Sequence, residues 1–196
     1  MRPAVLVLDM IVDFTTGRYG TAAARGIRPA VARLLAGARR MKVPVLYCQE
    51  AHTPEDPELR VWGRHGMVGT PGAKTDPALR PKAGEPVIPK HTFGGFYGTD
   101  LEDLLRERQA DAVVLTGVCT DICIQHTAAD AFFRGYRILV PRDGTAALTP
   151  EDHERGLRYM ARTYGAKITT TDDLIRRWSS SPRKARPRPR PRARMT

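Results

Sequence analysis

The alternation of short aliphatic runs with stretches of helical spacing is the feature that most limits how this chain can fold. Strands are predicted over 5–8, 43–47, 86–89, 112–116, 137–140 and 166–170. Helices are predicted over 29–40, 100–108, 121–134, 150–164 and 172–178, while residues 49–86 show no clear element. Because strands separated by helices favour parallel pairing, we predict an α/β fold with a mostly parallel sheet covered on both faces.

The C-terminal segment carries most of the positive charge. The chain of 196 residues has a formal net charge of +11, and seven of these charges lie in residues 179–196. This segment alternates Arg with Pro and has no acidic or aromatic residue, so it cannot form an apolar core. We predict a folded domain over 1–178 and a disordered Arg/Pro-rich tail over 179–196. We interpret the tail as a solvated and functionally neutral extension. The alternative is binding of nucleic acid or another acidic surface, which only this tail could provide, and a non-enzymatic binding role led by the tail is one alternative function.

Several classes of protein are disfavoured by the composition. No apolar run approaches the roughly 18 residues of a membrane span, and the N-terminus lacks the pattern of a secretory signal. Three cysteines without a pairing pattern indicate a reducing compartment and no disulfide framework. We therefore expect a cytoplasmic protein with no membrane partner.

Three reactive side chains follow three different predicted strands. Asp9 comes directly after the first strand, Lys90 after residues 86–89, and Cys123 six residues after residues 112–116. Ligand crevices of such sheets lie beyond the carboxyl ends of the strands, where these side chains would meet. A carboxylate can take a thiol proton and an ammonium can stabilise a thiolate, so the set suits nucleophilic catalysis. Each residue also has an ordinary structural interpretation: Asp9 as the cap of a turn, Lys90 as a solvated side chain and Cys123 as part of the core.

The turn before Cys123 favours a catalytic role for its thiol. Gly117 permits a tight backbone, and Thr120 is predicted to cap the following helix. The amides of residues 119–123 would then lie near the thiol, as an oxyanion hole requires. We expect the helix N-terminus and Lys90 to lower the pKa of Cys123 and Asp9 to raise it. Cys48 and Cys119 lack this placement and are interpreted as structural.

A second polar cluster lies in the segment without clear secondary structure. Glu50 and His52 follow the second strand, and Glu58 and His65 come within the next dozen or so residues. Carboxylate and imidazole ligands suit a divalent cation such as zinc, iron or manganese. The alternative is a polar loop whose histidines make ordinary hydrogen bonds.

Three blocks of sequence resemble the isochorismatase-like cysteine hydrolases, which include the nicotinamidases. The blocks are Val7-Leu8-Asp9-Met10 through Asp13-Phe14, Lys90 with Phe96 and Thr99-Asp100-Leu101, and Thr116-Gly117-Val118-Cys119-Thr120-Asp121-Ile122-Cys123 with Thr127-Ala128-Ala129-Asp130-Ala131. The resemblance covers roughly residues 4–175, and the last block is the most specific. It implies a three-layer αβα sandwich.

The same resemblance implies roles for individual residues. It implies an Asp9–Lys90–Cys123 triad, a cis peptide between Val118 and Cys119, and an oxyanion hole from the amides of Cys119 and Cys123. It places Phe14, Trp62 and Phe96 around the substrate. For the metal it implies Glu50, His52 and His65, with Glu50 in place of the family's Asp and Glu58 near the position of a missing His. Assembly as a dimer or tetramer is common in the family.

The function expected from these residues is hydrolysis of a C–N bond in a small amide through a thioester on Cys123. An isochorismatase-type hydrolase that cleaves a vinyl ether is the alternative enzyme, but such a reaction does not need the thiol. The partner expected is therefore a small-molecule amide substrate.

Overall fold

A parallel sheet forms the centre of the molecule in a computed structural model, which describes residues 1–180. Its seven strands are β1 Pro3–Leu8, β2 Val45–Glu50, β3 Val87–Lys90, β4 Ala112–Val118, β5 Arg137–Pro141, β6 Thr145–Ala146 and β7 Lys167–Thr169. The strand order is β3-β2-β1-β4-β5-β7, with β6 paired to β4. Every pairing is parallel, which confirms the predicted α/β class.

Helices cover both faces of this sheet. They are α1 Val12–Thr15, α2 Ala22–Arg40, α3 Leu59–Trp62, α4 Leu101–Glu107, α5 Gln125–Phe133, α6 Pro150–Tyr164 and α7 Thr171–Ser180. Alternate residues of β1 point to opposite faces: Leu6 and Leu8 pack with α4, α5 and α6, and Val5 and Val7 pack with α2 and α7. The three-layer αβα sandwich is thus confirmed. Within residues 1–180, no helix has the length and hydropathy to cross a bilayer.

The helices differ from the sequence prediction in two places. Helix α2 starts at Ala22, because the Thr21 side chain accepts a hydrogen bond from the Ala24 amide at 3.0 Å. Pro29 therefore lies inside the helix, where it removes one backbone hydrogen bond, and does not mark the start. The segment without a predicted element contains α3 and two short 3₁₀ turns, at Pro71–Ala73 and Pro77–Leu79.

Helix α7 extends past the domain boundary predicted at residue 178. Helix α7 continues to Ser180, and Trp178 on this helix is buried against the core that α2 also contacts. The first two residues of the predicted tail, Ser179 and Ser180, therefore belong to helix α7. The remaining residues, 181–196, lie outside the described part of the chain, so the disorder and nucleic-acid binding predicted for the tail stay predictions.

The chain direction through the sheet places a crevice at the ends of β1 and β4. From β1 the chain proceeds to β2 and β3 on one side and then returns to β4 on the other side of β1. Neighbouring strands whose connections diverge in this way leave a crevice beyond their carboxyl ends. The loops after β1, β2, β3 and β4 all start at this edge.

Gly117 of β4 pairs with Leu8 of β1, and the Leu8 backbone packs directly against it. Its φ is +118°, and a Cβ built on it would lie 1.9 Å from the backbone oxygen of Leu8. Because no side chain can occupy that space, we expect Gly117→Ala to lower the free energy of unfolding by at least about 3 kcal/mol. Urea unfolding followed by circular dichroism measures this change.

Gly26 provides the matched control for that experiment. It lies within α2, and a Cβ built on it would meet nothing within 4 Å. Gly26→Ala should raise stability by about 0.5–1 kcal/mol, since alanine restricts the unfolded chain and favours helix. Equal unfolding midpoints for the two variants would contradict the argument for Gly117.

Candidate active site

The three side chains predicted to form a triad meet beneath the crevice. The Nζ atom of Lys90 lies 2.9 Å from Oδ2 of Asp9 and 3.8 Å from Sγ of Cys123. Asp9 and Lys90 are fully buried, and Cys123 is 5% exposed. A carboxylate, an ammonium and a thiol thus share one enclosed volume at the carboxyl ends of β1, β3 and β4.

Lys90 is held by oxygen atoms on several sides. Its ammonium donates to the Thr92 carbonyl at 3.0 Å and to Oε1 of Glu50 at 3.3 Å, in addition to its contact with Asp9. Burial by itself would lower the pKa of Lys90, but the neighbouring Asp9, Cys123 and Glu50 outweigh it and raise the pKa well above its ordinary value. Lys90 is therefore a fixed positive charge beside the sulfur.

Asp9 is oriented by contacts to both of its oxygens. Oδ1 accepts a hydrogen bond from the Glu50 amide at 2.9 Å, while Oδ2 faces Lys90. Its backbone has a φ of +52°, a conformation that Asp tolerates better than most residues. Burial raises the pKa of Asp9 to about 7, with a further increase from Glu50 and an opposing effect from Lys90. Asp9 can thus exchange a proton near neutral pH.

Cys123 lies on a widened turn that precedes α5. The turn spans Thr120–Ile124, and the Ile124 amide donates to the Cys119 carbonyl five residues earlier at 3.1 Å. Cys119 occupies the position before the first helical residue, so Thr120 is not the cap that the sequence suggested. The Thr120 hydroxyl instead pairs with Nδ1 of His153 at 2.7 Å. The peptide between Val118 and Cys119 is cis, as the family resemblance implied.

Burial has the largest effect on the pKa of the Cys123 thiol. It raises the pKa well above the ordinary value for cysteine, Asp9 and Glu50 raise it further, and Lys90 opposes them. The sequence-based expectation included the opposing effects of Lys90 and Asp9 but omitted burial, the largest contribution. The thiol therefore stays protonated near neutral pH until a base removes its proton.

Glu50, His52, Glu58 and His65 form a second buried cluster next to the triad. Their ligand atoms all lie within 4.8 Å of one another. Nε2 of His65 lies 3.2 Å from Oε2 of Glu50 and 3.7 Å from Oε1 of Glu58, and Nε2 of His52 lies 3.5 Å from the same Glu50 oxygen. The structure thus brings together the three predicted ligands and adds Glu58 as a fourth.

The donor chemistry of this cluster fits a divalent cation. Nδ1 of His52 pairs with Oδ2 of Asp56 at 2.9 Å, and Nδ1 of His65 pairs with the Gly63 carbonyl at 2.7 Å. These contacts leave each Nε2 directed into the cluster, which is how outer partners orient metal-ligating histidines. Oε2 of Glu50, Nε2 of His52 and Oε2 of Glu58 are buried without a hydrogen-bond partner. A cation would satisfy these atoms.

The electrostatics of His65 support the same assignment. Burial would lower its pKa, but the carboxylates of Glu50 and Glu58, 3.2 and 3.7 Å from its Nε2, outweigh this effect and raise the pKa to about 10. The carboxylates of Glu50 and Glu58 therefore favour a positive charge at this position, which the proton on His65 supplies. A cation bound by the same atoms would displace that proton.

Glu50 connects the two clusters through its two oxygens. Oε1 lies 3.3 Å from Nζ of Lys90 and 3.8 Å from Sγ of Cys123, while Oε2 faces His52 and His65. The pKa of Glu50 is lowered despite burial, chiefly by Lys90 and by the two imidazoles. The carboxylate is thus ionised, with one oxygen beside the thiol and the other in the second buried cluster.

A cavity of about 140 Å³ opens above Cys123. Phe14 and Trp62 are among its walls, as expected, together with Tyr19, Phe93 and Leu148. This volume is comparable to the ~150 Å³ that accommodates a benzene ring. The cavity therefore suits a small, flat molecule.

Phe96 does not line this cavity, which corrects the expectation drawn from the resemblance. It is 5% exposed in the core beneath α4 and α5, with its ring 6.0 Å from that of Tyr136 and the Arg134 guanidinium 4.9 Å above it. The residues Gly94 and Gly95 turn the backbone between the two phenylalanines. Phe93 faces the cavity in its place.

Some residues of the site were not identified from the sequence. Asp56 orients His52, and its signal was the spacing of four residues between them. His153 holds the turn that carries the thiol, although it lies in α6, far along the chain. Tyr19 and Phe93 line the cavity, and only their aromatic character near the strand ends could have indicated them.

Comparisons with known proteins agree with this architecture. A family model described as the isochorismatase domain matches residues 3–173. Maleamate amidohydrolase of Pseudomonas putida is 32% identical over 181 residues, which cover 87% of this chain and 84% of the relative. The crystal structure of N-carbamoylsarcosine amidase from Thermoplasma acidophilum has a TM-score of 0.84 at 42% identity and covers 88% of this chain and 98% of that one. The crystal structure of pyrazinamidase of Pyrococcus horikoshii in complex with zinc has a TM-score of 0.79 at 28% identity. It covers 87% of this chain and 99% of that one.

Proposed function

This chain belongs to the isochorismatase family, and from that membership we propose that it is a cysteine hydrolase that cleaves the C–N bond of a small amide. The observation that carries the proposal is the meeting of Asp9, Lys90 and Cys123 directly below one cavity, with Cys123 among the residues that line it. A nucleophile, a base and a fixed positive charge are the groups that such chemistry requires. The amidohydrolase names of its relatives agree with this reaction.

The first half of the reaction forms a thioester. The Asp9 carboxylate takes the proton from Sγ of Cys123 as the sulfur attacks the amide carbon, and Lys90 stabilises the negative charge on sulfur. The C–N bond then breaks as Asp9 returns this proton to the leaving nitrogen. Ammonia or an amine departs, and the acyl group stays on Cys123.

The second half releases the acid. Asp9, again a carboxylate, takes a proton from a water molecule that attacks the thioester carbon. The C–S bond breaks, the carboxylic acid leaves, and the proton on Asp9 returns to Cys123. Both tetrahedral intermediates place a negative oxygen above the turn, where the backbone amides of Cys119 and Cys123 are the proposed donors.

A divalent cation such as zinc, iron or manganese is proposed for the second cluster, with Glu50, His52, Glu58 and His65 as ligands. When bound, such an ion can act as a Lewis acid for a polar atom of the substrate and orient it. The buried, unpartnered atoms of Glu50, His52 and Glu58 support this assignment. The zinc complex of the Pyrococcus horikoshii relative agrees with it.

Glu58 provides the test of this cation site, because the family resemblance did not require a carboxylate there. Glu58→Gln removes a charged ligand while keeping the shape of the side chain, so we expect zinc affinity to fall roughly 10- to 100-fold. Competition with a chromogenic chelator, started from chelator-treated protein, measures the affinity directly.

Glu55→Gln is the matched control, since Glu55 is exposed in the same loop and lies outside the cluster. It should bind zinc as the unsubstituted chain does. Equal zinc affinities for Glu58→Gln and Glu55→Gln would remove Glu58 from the ligand set, and zinc binding too weak to measure in the unsubstituted chain would contradict the site.

The function itself is tested with a panel of amides. Ammonia release from nicotinamide, pyrazinamide, carbamoyl compounds and simple aliphatic amides identifies the substrate class. Rapid acid quenching followed by mass spectrometry should show the acyl group of an active substrate on the peptide that contains Cys123. Turnover without an adduct, in a chain whose Cys123→Ala variant stays active, would contradict the thioester route.

A further inference from the structure

The edge of the sheet opposite the candidate active site carries an excess of positive charge. This amino-terminal edge gathers the starts of the parallel strands and the ends of the helices that precede them. The carboxylates shortly before β3 and β4 each lie beside an arginine: Glu85 and Arg39 at 2.7 Å, Glu107 and Arg108 at 3.5 Å, and Asp111 and Arg137 at 2.9 Å. These acidic groups are therefore already paired.

Three cations of the same edge have no such partner. Arg40 ends α2, Lys42 follows it, and Lys167 begins β7. All three side chains are exposed, and none of them forms an ion pair with a residue in the described part of the chain. The dipole of α2 favours Arg40 in its last turn, but it gives no reason for Lys42 and Lys167, which lie outside helices. These cations are thus available to an anionic partner.

Helix α7 brings the end of the described chain to this edge. It follows the carboxyl end of β7 and runs beside α2 in the same direction. Gly37 of α2 lies against Ile175 of α7, where a Cβ built on the glycine would be 2.7 Å from Cγ1. One turn further, Trp178 is buried in the core against which Met41 packs. Residues 181–196 follow directly and contain seven cations and no acidic residue.

We propose that this basic edge binds the phosphate backbone of a nucleic-acid duplex without regard to base sequence. Arg40, Lys42 and Lys167 would contact phosphates together with the cations of residues 183–194, so binding would not depend on the tail alone. Six of the seven cations beyond α7 are arginines, whose planar guanidinium can donate two parallel hydrogen bonds to one phosphate. The inference does not rest on the proposed hydrolase activity, because Cys123 lies beyond the other ends of the strands.

The composition of this surface favours a duplex over other polyanions. Residues 181–196 contain no aromatic side chain on which an unpaired base could stack. They also contain no Leu, Ile, Val, Phe or Trp that could enter the interface of a lipid bilayer. A duplex needs neither kind of contact, because it presents one phosphate charge per ~1.7 Å of its axis to cations alone.

The salt dependence of binding measures how many cations contact phosphate. The probe is a fluorescent DNA duplex of about 20 base pairs, and its anisotropy is followed during titration with the full chain at about 50 to 200 mM KCl. If the three cations of the edge and the seven beyond α7 all contact phosphates, log Kobs falls with log salt with a slope of about −9. We expect a slope steeper than about −5. A shallower slope, or no measurable binding at the lowest salt concentration, would overturn the proposal.

A double substitution tests the contribution of the folded domain. Arg40→Gln with Lys42→Gln should weaken duplex binding roughly tenfold and make the slope shallower by about 2, since about 0.9 is lost per contact. Arg18→Gln with Lys74→Gln is the control, because it removes the same two charges from exposed residues at the opposite edge. The control should keep the slope of the unsubstituted chain. Equal slopes for the two double variants would overturn the assignment of the surface.

Replacement of all seven cations in residues 183–194 by glutamine, in the full chain, tests the other part of the surface. The slope should become shallower by about 6, and an unchanged slope would overturn the proposal. Competition decides between a duplex and other polyanions. An unlabelled duplex of unrelated sequence should displace the probe at lower phosphate concentrations than a single strand of equal length or vesicles of phosphatidylserine and phosphatidylcholine. Displacement by the strand or the vesicles at equal or lower concentrations would overturn the choice of a duplex.

Discussion

Replacing Cys123 by alanine should lower kcat/KM for amide hydrolysis by at least roughly 10⁴-fold, because no thioester can form without the sulfur. The fold should survive, since alanine occupies less space than cysteine and leaves Asp9, Lys90 and Glu50 paired with one another. Cys123→Ser should be almost as inactive, because a hydroxyl is a far weaker acid than a thiol and Asp9 cannot activate it. Ammonia release and circular dichroism measure the two effects.

Cys48→Ala is the control for these variants. Cys48 is fully buried in β2 within the core beneath α4 and α5, and burial raises the pKa of its thiol to about 12. This substitution should cost some stability and leave catalysis intact. Loss of turnover in Cys48→Ala equal to that in Cys123→Ala would mean that the assay follows folding and not the nucleophile.

Brief alkylation with iodoacetamide distinguishes the three thiols in the unsubstituted chain. Cys123 should react first, because the cavity opens onto it, Asp9 can take its proton, and Lys90 lies 3.8 Å away. Cys119 also lines the cavity, but burial and the nearby Asp121 raise the pKa of its thiol to about 12, and no access leads to Cys48. Substrate should protect Cys123. Labelling of Cys48 or Cys119 first, together with activity in Cys123→Ala, would exclude the triad.

The triad could be predicted from the sequence because a parallel sheet gathers its strand ends. Asp9 and Cys123 follow strands with a clear aliphatic pattern, and Lys90 follows a short strand with a weaker one, so their convergence depends on topology and not on fine detail of the loops. The same reasoning applies to Glu50 and His52 at the end of β2. The alternation of helices and strands predicted the layers of the fold for a similar physical reason, since each apolar stripe needs a partner.

The side chains supplied by irregular segments could not be predicted in this way. Phe93 and Phe96 are separated by two glycines, and the rotation of the backbone through them decides which ring enters the cavity. Glu58 reaches the second buried cluster because the loop after β2 folds back, and no periodicity describes that path. The bridging role of Glu50 depends on a side chain one methylene longer than aspartate, whose reach only coordinates can locate.

The acid limb of the pH profile should report the proton on Asp9. Burial raises the pKa of this carboxyl from its ordinary value of 3.8 to about 7, and only the ionised form can accept the thiol proton. We therefore expect kcat/KM to fall about tenfold per pH unit below pH 7 and to level off above it. Initial rates between pH 5 and 8.5 with one neutral amide measure this profile.

Asp9→Asn should remove the base and lower kcat/KM by at least roughly 10³-fold, with the residual rate losing the limb near pH 7. Asp111→Asn is the control, because Asp111 is a partly exposed carboxylate that pairs with Arg137 at the amino-terminal ends of β4 and β5, on the far side of the sheet from the site. Its variant should keep both the rate and the profile of the unsubstituted chain. An unchanged limb in Asp9→Asn, or a rate independent of pH in the unsubstituted chain, would assign the base to another group.

Unfolding caused by protonation of Asp9 cannot explain a fall in kcat/KM below pH 7, because protonation of this carboxyl stabilises the folded state. A carboxyl whose pKa is raised on folding binds its proton more tightly in the folded chain, so its contribution to stability is largest below pH 3.8 and is lost as the pH rises toward 7. Lowering the pH from 7 to 5 therefore favours the folded state at Asp9 while it removes the catalytic base. A fall in rate over this range, with an unfolding midpoint that holds or rises, would locate the loss in the protonation of Asp9 and not in the fold.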